Sequence, residues 1–348
     1  MIIYLTNWSQ YRNILIKNIS PNNSGNSVKL VGWISSKRIH GKKIFMTLRD
    51  QSGFIQCVCS KDKVPRVFND LTTTYIESAI GLEGNVVEDK RAPQEVEIHI
   101  TNLKIIAPSD VWPLTQSSIK NPGFMFDNRH LSIRGKRSRA IMVIRNQLIK
   151  STHEFFENND YVFIQAPSFI TSAVEGGSSL FTVKYFDETV FLSQSSQFYE
   201  EAAICVFEKV YVIQPSFRSE KSRTRKHLTE FWHIEAEAAF TTHEDIMELE
   251  EDLVHYIVSK IHEKNKTELE TLGISNLSIP ETPFQKIVYD EAIDILTKKG
   301  IKINWGDDFG AEAEYMISSE FQDPFFIKNF PTKCRSFYHM SPEKNPEI

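Results

Sequence analysis

Residues 217–240 read FRSEKSRTRKHLTEFWHIEAEAAF, and the parity of the second half sets the fold around it. Phe231, His233, Glu235 and Glu237 share one parity, while Trp232, Ile234, Ala236 and Ala238 share the other. Successive side chains of a strand point to opposite faces. This is therefore a strand with one apolar face and one face of ring, imidazole and carboxylates. Residues 211–213 and 217–220 supply a partner strand that sets Arg218 and Glu220 on a common face. The connecting loop is cationic, with Lys221, Arg223, Arg225, Lys226 and His227. Such a hairpin suits a ligand: an arginine meets phosphate through its planar fork, Glu220 can accept from an exocyclic amine, and Phe231 offers a flat face to a base. A charged strand face is also the ordinary solvated side of an antiparallel sheet, and spacing by itself does not separate the two readings.

The order of the residues does. Arg218-Ser219-Glu220, Lys226-His227-Leu228, Glu230-Phe231-Trp232 and Glu235-Ala236-Glu237 resemble, in sequence and spacing, the second signature motif of class II aminoacyl-tRNA synthetases, in their asparaginyl/aspartyl branch. The resemblance implies an ATP site formed by Arg218, Glu220, Lys226, His227, Leu228 and Phe231. It makes Arg218 the catalytic residue, bridging the α-phosphate and the amino-acid carboxylate. Glu220 is then expected to read adenine, Phe231 to stack on it, and His227 to face the distal phosphates.

Composition sets the outer bounds. The chain has 348 residues, 41% hydrophobic and 24% charged, as expected of a soluble globular protein of about two domains. A net charge of -5 and a pI near 6.1 argue against nucleic-acid binding by bulk charge, although local basic clusters still can do so. Cys57, Cys59, Cys205 and Cys334 form no metal-ligand pair and suggest no disulfide framework, so a reducing compartment is the default. The start, MIIYLTNWSQYRN, lacks the pattern of a signal peptide, and no apolar run approaches a membrane span. A cytoplasmic protein is expected.

Upstream, strands are predicted at residues 28–34, 43–49, 54–60, 79–87 and 95–105, with turns at His40-Gly41, Ser52-Gly53 and Ala92-Pro93 and a helix over 63–73. This pattern predicts an all-β OB-fold barrel over residues 1–109. Val31-Gly32-Trp33-Ile34, Arg38, Phe45, Leu48-Arg49-Asp50, Gly53 and Gln56 resemble the anticodon-binding barrel of the same synthetase branch. The resemblance implies that Arg38, Phe45, Gln56 and Glu97 contact the tRNA anticodon. Phe45 gives a stacking platform, Gln56 offers both donor and acceptor to a base edge, and Arg38 can stack or meet phosphate.

Residues 110–130 are proline-rich and aperiodic and read as a linker or hinge; 131–348 read as the catalytic domain. That domain is expected to be α+β, an antiparallel sheet with flanking helices. A helix is predicted over 136–158, with Ile141, Ile144, Leu148, Phe155 and Phe156 at helical spacing, and a strand over 161–166 before Pro167. Together they resemble the family's first motif, which implies a homodimer. In the loop 171–181 the resemblance assigns Glu175 to the substrate ammonium group. It also places Gln197, Glu200 and Glu235 around the amino acid, at a strand-to-helix corner, 190–197, that cradles it. Thr242 and Asp245 read as a capping pair for a helix striped by Ile246, Leu249, Leu253, Ile257 and Ile261. Residues 289–299 read as a helix closed by Gly300, and 309–315 and 325–338 as a return to sheet.

The implied activity is ATP-dependent ligation of asparagine to tRNA(Asn) through an asparaginyl adenylate, with Mg2+ on the polyphosphate. Aspartyl-tRNA ligase is the runner-up. An ATP-dependent asparagine synthetase and a non-catalytic RNA-binding paralogue are further alternatives. Asparagine is preferred on chemical grounds. The aspartyl branch has a lysine where Glu200 stands and an aspartate where Glu235 stands, so this site offers acceptors to an amide rather than a cation to a carboxylate. The family's third motif, with its phosphate-binding arginine, and the acidic Mg2+ ligands before it do not occur before Ile348. The expectation is therefore a chain truncated before that motif and inactive by itself.

Overall fold

The structure is a computed structural model that describes residues 8–115, 117–172, 180–219, 228–336, 338–340 and 347. Chain contacts divide it into two compact units, Met1–Ser132 and Ile133–Ile348.

In the first unit a helical turn, α1 (Trp8–Tyr11), precedes five strands that close a barrel. These are β1 (Ser27–His40), β2 (Lys43–Arg49), β3 (Phe54–Ser60), β4 (Ala79–Glu88) and β5 (Val96–Ala107), with α2 (Pro65–Thr73) between β3 and β4. The order around the barrel is β1-β2-β3-β5-β4, and only β3 and β5 run parallel. Alternation puts Leu30, Ile34, Ile44, Leu48, Cys57, Cys59, Ile80, Leu82 and Ile98 inside, where α2 adds Val67, Phe68 and Leu71. Each fully buried aliphatic contributes about 1.5–3 kcal/mol. Closure demands a close crossing where β1 leaves β4 for β2, since a Cβ at Gly32 would overlap the Arg49 carbonyl. The β2–β3 turn is held by Asp50, whose Oδ1 accepts from the Ser52 and Gly53 amides at 2.7 and 3.0 Å. Its Oδ2 takes the Ile16 amide at 3.1 Å.

The five expected strands are present, with one difference of consequence. Strand β1 does not end near Ile34. After an irregularity between Ile34 and Ser36 it runs on, pairing Arg38 with Phe45 and His40 with Lys43. The segment expected as a linker holds a 3-10 turn (Ser118–Lys120) and two short helices, α3 (Pro122–Asp127) and α4 (Arg129–Ser132).

The second unit opens with α5 (Lys136–Asn158), then β6 (Val162–Phe163), β7 (Phe169–Ile170), β8 (Thr182–Tyr185) and β9 (Glu188–Leu192). Next come α6 (Gln197–Phe207), β10 (Lys209–Phe217), β11 (Glu230–Ala238), α7 (His243–Lys264) and α8 (Lys266–Leu272). The described chain continues through β12 (Gln285–Val288), α9 (Tyr289–Lys298), α10 (Ala311–Ser318) and β13 (Phe325–Lys328). Strands β10 and β11 are antiparallel, and β6 joins the far edge of β10 in parallel. Ile234, Ala236 and Ala238 of β11 pack with Tyr211 and Ile213 of β10, Phe155 and Phe156 of α5, and Leu249 and Leu253 of α7. The expected apolar face is thus the one packed against the core, half-buried there, apart from Trp232, which is 53% exposed. Helix α7 carries the expected cap: the Thr242 amide donates to Asp245 Oδ2 at 2.7 Å, and the Asp245 amide to Thr242 Oγ1 at 3.3 Å.

Several expectations need correction. The strand expected over 161–166 has only two described strand residues, and β10 ends at Phe217, so Arg218 lies beyond it. On α5 the deeply buried positions are Ala140, Ser151, Thr152, Phe155 and Phe156, whereas Ile141 is exposed. Residues 309–315 return not to sheet but to α10, which packs with α9 around Tyr289, Ala292, Leu296, Phe309 and Ile317. Beside this cluster β12 and β13 form a two-stranded parallel sheet.

Candidate functional site

The polar face of the β10–β11 hairpin is completed by the turn between β9 and α6. The Phe217 amide donates to the Ser193 carbonyl at 2.8 Å, which ties that turn to β10. Register then pairs Ser216 with Phe231, Gln214 with His233 and Val212 with Glu235. Glu235 is the hub. Its Oε1 accepts from the Ser195 hydroxyl, and its Oε2 from the Ser196 amide at 3.0 Å. The Gln214 side-chain amide donates to Ser196 Oγ at 2.6 Å, and the Gln197 backbone amide to Ser195 Oγ at 3.2 Å. A carboxylate has about four acceptor sites, so Glu235 holds the corner and keeps capacity for a further N–H donor.

Around it the face is acidic. Glu200, in the first turn of α6, is 1% exposed, and its Oε1 has no hydrogen-bond partner. Burial, reinforced by Glu235 and Glu237, pushes its carboxyl up to about 8, so it carries a proton at neutral pH. Burial also raises Glu237, helped by Glu201 and Glu235. Glu201 Oε1 accepts from the Gln197 side chain at 2.9 Å. His233 Nδ1 lies 3.2 Å from Ser216 Oγ and 3.4 Å from Glu235 Oε1. Burial lowers its pKa, Glu235 opposes that and Arg218 adds to it, so the ring stays neutral at neutral pH.

Arg218 follows β10, and its amide donates to the Thr229 carbonyl at 3.0 Å. Its guanidinium carbon stands 5.5 Å from the centre of the Phe231 ring, whose other neighbour is His233 at 5.3 Å. A flat cation beside a flat ring suits a base joined to phosphate. Gln197, Glu200 and Glu235 share the corner, and Arg218 and Phe231 adjoin one another. Leu228 is 66% exposed where β11 is about to begin. Glu175, Glu220, Lys226 and His227 lie outside the described residues. Among the described residues no group of three His, Cys, Asp or Glu could hold a metal ion, so the Mg2+ implied by resemblance has no ligand set there.

The barrel carries a second candidate surface. A concavity of about 250 Å³ on β1, β2 and β3 is lined by Ser36, Lys37, Arg38, Phe45, Met46, Thr47 and Gln56. The Arg38 guanidinium stands 5.5 Å from the centre of the Phe45 ring. Lys37 is committed elsewhere: its ammonium donates to the Leu71 and Thr72 carbonyls at 2.7 and 3.2 Å, at the C-terminal end of α2, and burial lowers its pKa. Glu97, expected beside the ligand, is only 7% exposed. Its oxygens are taken by Gln56 and His99, each at 2.8 Å.

A closed OB barrel and an α+β unit whose hairpin brings together an arginine, aromatic rings and carboxylates are the two parts of a tRNA ligase. Comparison with known proteins narrows this. Residues 121–348 match the tRNA synthetases class II (D, K and N), and residues 28–106 match the OB-fold nucleic acid binding domain. The chain belongs to the class II tRNA synthetases of that D, K and N group. It is 43% identical to asparagine–tRNA ligase of Thermococcus gammatolerans over 330 residues, 94% of this chain and 76% of the relative. The asparaginyl-tRNA synthetase of Pyrococcus horikoshii, solved with asparaginyl-adenylate, superposes with a TM-score of 0.88 at 40% identity, covering 96% of this chain and 78% of that one. An aspartyl-tRNA synthetase from Entamoeba histolytica, 23% identical with a TM-score of 0.80 over 97% of this chain and 75% of that one, shares the fold.

Sequence reasoning missed Ser195 and Ser196 as the residues that hold Glu235, and Gln214 as the residue that donates to Ser196 Oγ. Gln214 had a signal, because it stands opposite His233 once the hairpin register is known. The serines had none beyond their place in the turn.

Proposed function

We propose that the site in this chain is built for the joining of asparagine to tRNA(Asn) at the expense of ATP, the activity its 43%-identical relative is named for, with the third motif's share of the ATP site still required for turnover. Catalysis needs no side-chain nucleophile. The asparagine carboxylate attacks the α-phosphorus of ATP, a new P–O bond forms, and pyrophosphate leaves. The terminal ribose hydroxyl of tRNA then attacks the activated carbonyl, and AMP departs. The protein supplies position and charge. Arg218 meets the α-phosphate and the amino-acid carboxylate, Phe231 stacks on adenine, and Glu235 accepts from the side-chain amide. Glu175, Glu220, Lys226, His227 and Leu228 complete the proposed set, with Gln197 and Glu200 beside the amino acid. Mg2+ enters only as the counter-ion of the polyphosphate. In the barrel, Arg38, Phe45 and Gln56 grip the anticodon.

The observation that carries asparagine over aspartate is the acidic corner around Glu235 and Glu200. Aspartate would bring a second negative charge against Glu235, at a cost of several kcal/mol in a desolvated site. An amide brings donors instead. Calorimetry with non-hydrolysable asparaginyl- and aspartyl-adenylate analogues tests this. The asparaginyl form is expected to bind at least about 100-fold tighter, the scale of a polar mismatch; equal or reversed affinity overturns it.

We also propose domains at 1–109 and 131–348, a homodimer, and a cytoplasmic location. Exposed Ile141, Val162, Phe163 and Trp232, on α5, β6 and β11, support self-association, since β6 is a sheet edge. No helix among the described residues is long and apolar enough to cross a membrane. Sedimentation of the wild-type chain against Phe163→Glu tests the dimer: wild type should sediment as a dimer and the variant as a monomer.

A further inference from the structure

Ser196 anchors two residues that bear carboxyl groups. Its amide donates to Glu235 Oε2 at 3.0 Å, and its carbonyl accepts from the Glu200 amide at 3.1 Å as α6 begins. Glu235 is tied into the corner, but Glu200 is not: it is 1% exposed and its Oε1 has no hydrogen-bond partner. A buried polar atom left open beside a well-bonded corner points to a missing partner. Helix α6 packs on β10 and β11. To this face β11 brings Phe231, His233, Glu235 and Glu237, and the register sets Val210, Val212, Gln214 and Ser216 of β10 beside them, none of which ionises. Glu201 follows on α6 itself. Burial first, then Glu235 and Glu237, hold Glu200 neutral at neutral pH. A carboxylate only accepts hydrogen bonds, whereas a neutral carboxyl also donates one, and its proton can ride on either oxygen. The residue type of Glu200 suggests a second acceptor; its burial makes it a donor. The corner therefore offers two unlike groups side by side, and a primary carboxamide answers both, with hydrogens on its nitrogen and lone pairs on its oxygen.

We infer that Glu200 is a specificity-determining residue that reads the oxygen end of the substrate's side chain: its hydroxyl donates to the carboxamide oxygen while Glu235 accepts from the carboxamide nitrogen. Glu235 by itself repels a carboxylate but leaves the oxygen of an amide unheld. With Glu200 opposite, the amide is bonded at both ends, and the half-turn that would exchange its nitrogen and oxygen is refused. Loss of the Glu200 proton reverses the contact, because a carboxylate then faces the carboxamide oxygen with like charge. The inference rests on the proposed reading of this corner as the asparagine site.

The test is calorimetry on the full chain with two non-hydrolysable adenylate analogues, asparaginyl and alanyl, from pH 7 to pH 9. The alanyl form has the same ammonium group, ribose and base but no carboxamide, so titration of the shared groups cancels in the ratio of the two affinities. In wild type that ratio should fall about tenfold over this range, as does the neutral fraction of a carboxyl that titrates near 8. Glu200→Gln keeps a donor and an acceptor but has no proton to lose, so its ratio should not change with pH. Glu200→Leu offers no donor; its ratio should be about tenfold below that of wild type at pH 7, the scale of one lost hydrogen bond, and equally flat. His233 and Glu237 are common to all three proteins and cannot produce the difference. Three results overturn the inference: a wild-type ratio that is flat, a ratio that falls as steeply in Glu200→Gln, or a Glu200→Leu ratio equal to that of wild type at pH 7. Failure of wild type to favour the asparaginyl form at pH 7 would instead strike the asparagine reading, and this inference with it.

Discussion

Replacing Glu200 by glutamine removes a titratable group from the interior while keeping its shape. In the folded chain the carboxyl binds a proton up to about pH 8, whereas its ordinary value is 4.5. Between those values the folded state holds a proton that the unfolded state releases. Stability attributable to Glu200 therefore falls as pH rises from 4.5 and levels off above 8. The gap at about 1.4 kcal/mol per pH unit sets a ceiling of roughly 5 kcal/mol, and relaxation around the charge should bring the measured value to about 2–3 kcal/mol. Glu200→Gln should consequently match wild type near pH 4.5 and exceed it by that amount at pH 8. Urea unfolding of both proteins from pH 5 to pH 8, followed by circular dichroism, measures the difference, with the barrel transition as an internal control. Glu237, also raised, titrates in both proteins and largely cancels. A stability difference that stayed constant across this range would refute the reasoning, since it would mean that Glu200 ionises as an exposed glutamate does.

The same corner predicts that Glu235→Gln loses much of the discrimination between asparaginyl- and aspartyl-adenylate analogues, about 1–3 kcal/mol in the ratio of their affinities, because an amide no longer repels aspartate. In the barrel, Arg49 grips Glu77 through two hydrogen bonds of 2.8 and 2.9 Å with side chains 12% and 5% exposed. Glu77→Ala should lower the barrel's unfolding free energy by about 3 kcal/mol by denaturant titration, since it leaves a poorly hydrated guanidinium without its carboxylate. Thr242→Ala should cost about 1 kcal/mol by the same measurement, the usual value of an N-cap, and Thr242→Ser should restore most of it.

What the sequence made legible was periodicity. Five barrel strands and the two faces of β11 repeat at the spacing their geometry requires and pack accordingly, whereas α5 forms where its spacing predicts a helix but buries Ala140, Ser151, Thr152, Phe155 and Phe156 and leaves Ile141 exposed. Polar and short segments were less legible. The extension of β1 through Ser36, Lys37 and Arg38 has no apolar alternation because it lies beyond the barrel core, paired only to β2. Residues 309–315 are too few for helical period to show, and their helix is fixed by packing on α9. Glu200 stands in the first turn of a helix beside Glu201, where a carboxylate usually faces water; only the fold shows it turned inward. Glu97 was legible as part of the barrel surface, but its contact with Gln56 depends on the pairing of β3 with β5, strands separated in the chain by α2 and β4.

The two faces of the β10–β11 hairpin alternate at every residue, and this gives the segment an unusual sensitivity to length. A substitution changes one side chain. A single inserted or deleted codon within β11 would move every following side chain to the opposite face, sending Glu235 towards Phe156 and Tyr211 and bringing Ile234 to the corner held by Ser195 and Ser196. Both the core and the pocket would be lost at once, and no compensating point change could recover them. Length variation among descendants of this chain should therefore collect in its loops, while the strands of this hairpin keep a fixed residue count even as their side chains drift.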